Sequence, residues 1–564
     1  MGRHGWPSGG SNGPVRPLDE VPNSIATGYG LLDLAPILAR SNVPDPTTSS
    51  PPVGKRRIAI NTAAMGLSQV VTVAVSLIFL PLLVRAFGLA TYGVFMLSVT
   101  VAGYTYLLDL GIGVQVVRMV AERLTGEEGE GVPGVVASAA VLFAMAGVVA
   151  AAAMIVVGVV AGVLFRVTPA QADLLRSLLW IGAAYQLWYW PASTARHALG
   201  GYQRYDALAW TTIASTTLYA VSIVYVLVSG RGPVALTVLN VAAGTAVSLV
   251  TMWLLWRSAR RASGRFSPSV ATMREMLRSG FPVFLVQVAH AVNRQHTDRL
   301  VLGIVIGPAA VALYEIAAKV SALVSQAGDL VVSAILPVAA GLSVKGEHAN
   351  IRALFLRGAK YTSVLVAPVT VVLLLIAQPF IRAWFGPGFS ASVPVAQALL
   401  LAQLLVPLYL IGDSILIGMD RFSRWTPWAL TLAAVNLVAS VLLVLRFGLV
   451  GVALGTLLAY VLEFPVYGRM LTRETGVGFV AWLRASMLPT YPLLAVPAVV
   501  CLAGLQTGLR TSIPGLAAIG VVAVTAYWAA AWRVSLNGVE RGQVRSFVRG
   551  FFPSGRTGAD GDVS

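Results

Sequence analysis

Apolar stretches of about 20 residues recur along this chain from near Ile58 to Trp532, separated by short polar turns. A helix of that length satisfies its own backbone hydrogen bonds and crosses a hydrocarbon layer of roughly 30 Å. The pattern predicts an all-α membrane protein of about fourteen transmembrane helices. They fall near residues 58–83, 91–111, 134–164, 174–199, 206–228, 233–256, 281–306, 310–341, 360–384, 394–418, 425–445, 449–471, 482–504 and 513–532. Residues 1–54 are rich in Gly, Pro, Ser and Asn and lack a signal-peptide core, so they read as a disordered tail. Within them, Leu31–Leu38 is long enough only for a short interfacial helix.

The basic residues test this count, because they accumulate on the cytoplasmic side of a membrane protein. With the N-terminus inside, 27 Lys and Arg fall on the inside connections and termini, and seven fall outside. The inside set runs from Lys55, Arg56 and Arg57 to Arg541, Arg545 and Arg549. The outside set is Arg85, Arg166, Arg176, Arg231, Arg382, Arg446 and Arg510. A miscounted helix would have inverted every later loop and blurred the contrast. Both termini are therefore expected in the cytoplasm, around a multi-pass protein of the plasma membrane.

Composition agrees: of 564 residues, 57% are hydrophobic and 11% charged. The net charge of +17 is scattered over short loops, which argues against nucleic acid as a partner. Cys501 is the only cysteine, so neither a disulfide framework nor a cysteine metal site can form. Only four lysines stand among 40 basic residues, an arginine bias that points to a GC-rich bacterial genome.

The first six spans resemble the next six. Gly88-x4-Gly93-x-Phe95 matches Gly307-x4-Ala312-x-Tyr314, Gly201–Tyr205 matches Gly418–Phe422, and Val234-Ala235-Leu236 matches Val452-Ala453-Leu454. The offset stays near 218 residues. An even number of spans sets both copies the same way round. The expected plan is two six-helix lobes, 55–256 and 281–473, related by a pseudo-two-fold along the membrane normal. A basic cytoplasmic linker (257–280) joins them, an appended pair of helices (474–535) follows, and 536–564 forms a cytoplasmic tail. Transporters of this kind bind substrate between their halves.

Charged residues inside a membrane are costly and are candidates for function. Span seven carries Gln287, His290, Arg294 and Asp298 at spacings of three, four and four, one face of a continuous helix. This face either lines a cavity or holds an Arg294–Asp298 pair that locks packing. Span eight carries Glu315, Lys319, Gln326 and Asp329, with Glu315 and Lys319 in the favoured order for a helical ion pair. Glu315 lies near the outer end, where an interfacial role competes with a functional one. Arg294, Lys319, His290, Gln287 and Gln326 are candidates to bind substrate. Asp298, Glu315, Asp329, Asp109, Asp413 and Glu463 are candidates for ion coupling or gating. Asp109 could cap a helix or pair with Arg118, and Asp413 and Glu463 could each bond a neighbouring helix. The sequence contains no P-loop, no HExxH and no dinucleotide fingerprint. No cofactor, metal or catalytic residue is expected, and a proton or sodium gradient is the candidate driving force.

Several of these segments resemble the bacterial polysaccharide and oligosaccharide-lipid flippases. They are the run Pro81–Gly93 followed by Leu108-Asp109-Leu110-Gly111-Ile112-Gly113, the run Asp298–Gly303, Tyr314-x4-Lys319, Pro337, Gly418-x2-Arg421, Asn436 and Gly448-x2-Gly451-x-Ala453. The resemblance covers about residues 55–475 and departs at Ala312, where the family usually has Gly. It implies alternating access, with undecaprenyl-pyrophosphate-linked sugars carried to the outer leaflet. It also implies an Arg- or Lys-lined cavity for the pyrophosphate, which Arg294 and Lys319 would supply. Membrane lipids and other proteins of envelope biosynthesis are the expected partners. The same superfamily holds cation-coupled multidrug exporters, the nearest rival, whose cavities favour acidic residues. A membrane glycosyltransferase, ligase or polymerase needs larger external loops than the connections of about ten residues found here.

Overall fold

The computed structural model describes residues 55–124, 131–261, 264–294, 297–332, 335–419, 421, 424–538 and 540–542. The expected N-terminal tail and the end of the chain lie outside the described residues. Among those described there are nineteen α-helices and no strand. In the first half they are α1 (Lys55–Phe87), α2 (Leu89–Tyr104), α3 (Ile112–Leu124), α4 (Val132–Leu164), α5 (Pro169–Gly201), α6 (Tyr205–Ser229) and α7 (Pro233–Ser258). In the second they are α8 (Val270–Arg294), α9 (Thr297–Val305), α10 (Pro308–Val332), α11 (Ile335–Val344), α12 (His348–Phe385), α13 (Ser392–Gln403), α14 (Val406–Gly418), α15 (Thr426–Phe447) and α16 (Leu449–Thr475). The last three are α17 (Phe479–Ser486), α18 (Ala495–Leu505) and α19 (Ile513–Val534).

Each of the fourteen predicted spans coincides with helix, but not always with one helix. Among the described residues, nine helices are by themselves long and apolar enough to cross a membrane. Spans ten and thirteen are built from pieces, α13–α14 and α17–α18, while 295–296 in span seven and 333–334 in span eight lie outside the described residues. Pro407 opens α14 and Pro489 and Pro492 separate α17 from α18; proline lacks the N–H that a continuing helix needs. Span thirteen, expected as one helix over 482–504, is thus two short helices joined by turns. Two connections also differ from expectation. Residues 270–280 of the predicted linker are the first turns of α8, and among the described residues the non-helical part of the linker is 264–269. Residues 112–124, read as loop, form α3. Its Ile112, Val116, Met119 and Val120 face inward while Arg118 stays half-exposed.

Local chemistry starts several of these helices. Thr168 and Gln171 make a reciprocal capping box at α5 (3.4 and 3.0 Å). Ser512 accepts from the Gly515 amide (3.2 Å) at α19. Beyond Ser535 a separate short unit begins, in which Asn537 and Glu540 exchange amide-to-side-chain hydrogen bonds, both 2.8 Å.

The repeat is visible in packing and in backbone. In the first lobe α1 packs on α6, α2 on α5, α4 on α5, α5 on α7, and α6 on α7. In the second, α8 and α9 pack on α15, α10 on α13, α12 on α13 and α14, α13 and α14 on α16, and α15 on α16. The turns repeat too. Gly88 and Gly307 both have positive φ (77° and 125°), as do Gly230 and Gly448 (64° and 58°). The Arg204 amide donates to Leu199 O (3.0 Å) just as the Arg421 amide donates to Leu416 O (2.8 Å).

The lobes meet mainly through α2 and α10, flanked by α1 on α10 and α9 on α2, the reciprocal contacts a two-fold requires. At the face poor in basic residues the seam is tight. A Cβ on Gly93 would stand 1.9 Å from the Pro308 carbonyl oxygen. The Arg166 amide donates to Gly303 O (3.1 Å), and Arg85 Nη2 donates to Trp384 O (3.0 Å), each bond running from one lobe to the other. The appended pair packs on α12 through buried Val372, Ile376, Cys501, Leu516, Ile519 and Ala523.

Candidate functional site

Near the seam, two helices of the second lobe bring one buried carboxylate together with two cations. Helix α10 carries Glu315, which is 1% exposed. Helix α9 aims Arg299 at it, with Nη2 2.7 Å from Glu315 Oε2. One turn further along α10, Lys319 Nζ lies 3.5 Å from Glu315 Oε1. The three are not equally enclosed: the Arg299 side chain is 14% exposed and Lys319 37%. At 1.5 Å per residue, Lys319 stands about 16 Å along α10 from its start, near mid-depth of a bilayer. One buried carboxylate is thus shared by two cations, and the lysine keeps an accessible face.

Beside this cluster Asp298 joins three helices. From α10, the Tyr314 hydroxyl donates to Asp298 Oδ2, and so does Thr456 Oγ1 of α16 (2.9 Å). Two further contacts tie α8 and α9 to the first lobe. Tyr104 Oη and Thr297 Oγ1 are 2.7 Å apart, and Tyr106 donates to Gln287 O (3.0 Å). The Gln287 side-chain oxygen is buried and has no hydrogen-bond partner among the described residues.

The expected face of span seven is described at its two ends, Gln287 and Asp298. Asp298 Oδ2 is held by two hydroxyls. The His290 and Arg294 side chains lie outside the described residues, as does that of Asp329. Gln326 is part-buried on the same helix as Lys319. Glu315, for which an interfacial place was an alternative, is buried between α9 and α10.

The other carboxylates lie elsewhere. Asp109 accepts from the Gly113 amide (3.3 Å) and faces His197 (3.7 Å). It does not pair with Arg118, which reaches Glu122 (3.7 Å) and Glu275 (3.8 Å). Asp413 accepts from the Tyr467 hydroxyl, a bond from α14 to α16. Glu463 is 5% exposed on α16. Neither is part of the Glu315 cluster.

Sequence spacing passed over Arg299, Thr456, Tyr104 and Thr297. Arg299 was within reach: an arginine in an apolar span is a candidate by its cost alone, but it stands one residue off the 287–290–294–298 line. The hydroxyls gave no signal, since Ser, Thr and Tyr in membrane helices serve as often for packing as for function.

This arrangement of two repeated lobes with an appended pair is the fold of membrane transporters. An inward-closed structure of the lipid II flippase MurJ superposes with a TM-score of 0.66 at 15% identity, covering 84% of this chain and 99% of that one. An inward-facing multidrug transporter of the MATE family, from the MOP superfamily, superposes with a TM-score of 0.55 at 18% identity, covering 74% and 98%. The signature of the family described as Polysaccharide biosynthesis protein matches residues 58–343, and the chain belongs to that family. The chain is also similar to the probable low-salt glycan biosynthesis flippase Agl15 of Haloferax volcanii, at 24% identity over 195 residues. That match covers 34% of this chain and only 41% of the length of its relative.

Proposed function

We propose that this protein is a flippase that moves an undecaprenyl-pyrophosphate-linked oligosaccharide, or a similar polysaccharide precursor, across the cytoplasmic membrane by alternating access. The observation that carries the reading is the accessible Lys319 at mid-depth, anchored with Arg299 on one buried carboxylate, in a chain of the polysaccharide biosynthesis family. A pyrophosphate reaching this level competes with Glu315 for the Lys319 ammonium, and Arg294 at the end of α8 offers a bidentate fork. His290, Gln287 and Gln326 supply neutral hydrogen bonds for phosphate or sugar.

Asp298 is the group best placed for ion coupling, because it ties α9 to α10 and α16. A proton or sodium ion arriving there would change its hold on Tyr314 and Thr456, and so the position of α9. That helix also carries Arg299, so the ion would be felt at the substrate cations. Asp329, Asp109, Asp413 and Glu463 are assigned to gating or helix contacts. The excess of positive charge supports a cytoplasmic location for both termini in a bacterial membrane. The same fold serves multidrug exporters, but a cationic drug would meet the like charge of Lys319.

The test is transport of a lipid-linked sugar in proteoliposomes. Lys319→Ala and Arg294→Ala are expected to reduce flipping at least tenfold at normal abundance, and Arg294→Lys to recover part. Wild-type rates in both alanine variants would overturn the assignment, and export of a cationic dye in place of the glycolipid would favour the drug exporter.

A further inference from the structure

A cavity of about 670 Å³ opens at the face of the protein poor in basic residues, where the end of α12 meets α18 and the turn Gly508–Thr511. Its lining combines the apolar Leu375, Leu502 and Leu505 with the polar Gln378, Arg382 and Arg510. Both arginines are exposed, and neither has an acidic partner among the described residues. No Asp or Glu occurs in 375–392 or 500–515, so the local charge is uncompensated by the chain. Basic residues are scarce on this face, yet two of the seven converge on one cavity. Helix ends explain one such residue by snorkelling; they do not explain two from distant segments around a shared hollow.

The geometry points to a binding site for an anionic phospholipid of the adjoining leaflet, phosphate at Arg382 and Arg510 and acyl chain along the leucines. Guanidinium groups are good phosphate partners, and basic pockets beside membrane helices recognise lipid headgroups. The leucine wall has no use for a free phosphate. The lining residues come from α12, α18 and the turn after it, none from the seam helices α1, α2, α9 or α10. The site therefore stands off the path between the lobes and suits a resident lipid better than a transported one. By bridging α12 to the appended pair, such a lipid would fasten α18 and α19 to the second lobe.

The experiment is native mass spectrometry of the full-length protein released from bilayers of phosphatidylglycerol and phosphatidylethanolamine. Wild type is expected to retain one more phosphatidylglycerol than the double variant Arg382→Gln/Arg510→Gln, with Arg510→Gln alone intermediate and retention falling at least fivefold in the double. Leu502→Gln should weaken retention with both arginines intact. Equal retention in wild type and Arg510→Gln, a variant confined to an exposed turn, would overturn the proposal. So would displacement of the lipid by excess inorganic phosphate, which would mark a simple anion site. Preference for undecaprenyl phosphate over phosphatidylglycerol would overturn it as well, by assigning the cavity to the transported carrier.

Discussion

Glu315 divides its two oxygens between Arg299 and Lys319, and the consequences of removing each partner differ. Glu315 is buried and the Arg299 side chain nearly so, and taking one charge from such a pair strands the other at a cost of about 3–5 kcal/mol. Lys319 is open to accessible space, where a comparable contact is worth about 1 kcal/mol or less. Glu315→Gln is therefore expected to lower thermal stability in detergent markedly, whereas Lys319→Gln should leave stability within about 1 kcal/mol and act on transport. Equal melting shifts in the two variants would show that the carboxylate serves both cations alike. The Glu315–Lys319 spacing was legible because it follows one helix. The Arg299–Glu315 pair was not, because it joins two helices and only the fold sets that distance.

At the level of elements, the closest approach of the lobes is α2 against the start of α10. With 1.9 Å between a Cβ at Gly93 and the Pro308 carbonyl, no side chain fits while this face is shut. Gly93→Val should populate the conformer open at this face. A cysteine introduced near Pro308 would then react faster with a membrane-impermeant maleimide than in the Gly93 background, and unchanged labelling would place the moving boundary elsewhere. The sequence supported most helices but not their interruptions. Helix α3 showed its period in Ile112, Val116, Met119 and Val120, yet the break before it depends on Leu110 and Gly111 adopting left-handed backbone, which no pattern in the run signals. Pro489 and Pro492 mark the division of span thirteen in the sequence itself.

For the molecule as a whole, the fourteen apolar segments and the offset near 218 residues were legible because bilayer thickness and duplication both act over tens of residues. Reporters fused after Arg265 or Arg549 should read cytoplasmic, and those after Gly307 or Arg510 external; one reversal would break the topology. The shut face has an energetic consequence. Two hydrogen bonds that cross the seam, from the Arg166 amide and from Arg85, end on main-chain carbonyls. Each is worth about 1 kcal/mol net. One elementary charge descending 100 mV releases about 2.3 kcal/mol. Under ion coupling, a single ion per cycle would release as much free energy as this clasp holds. Turnover would then follow the voltage across the membrane more closely than the strength of any one side-chain contact.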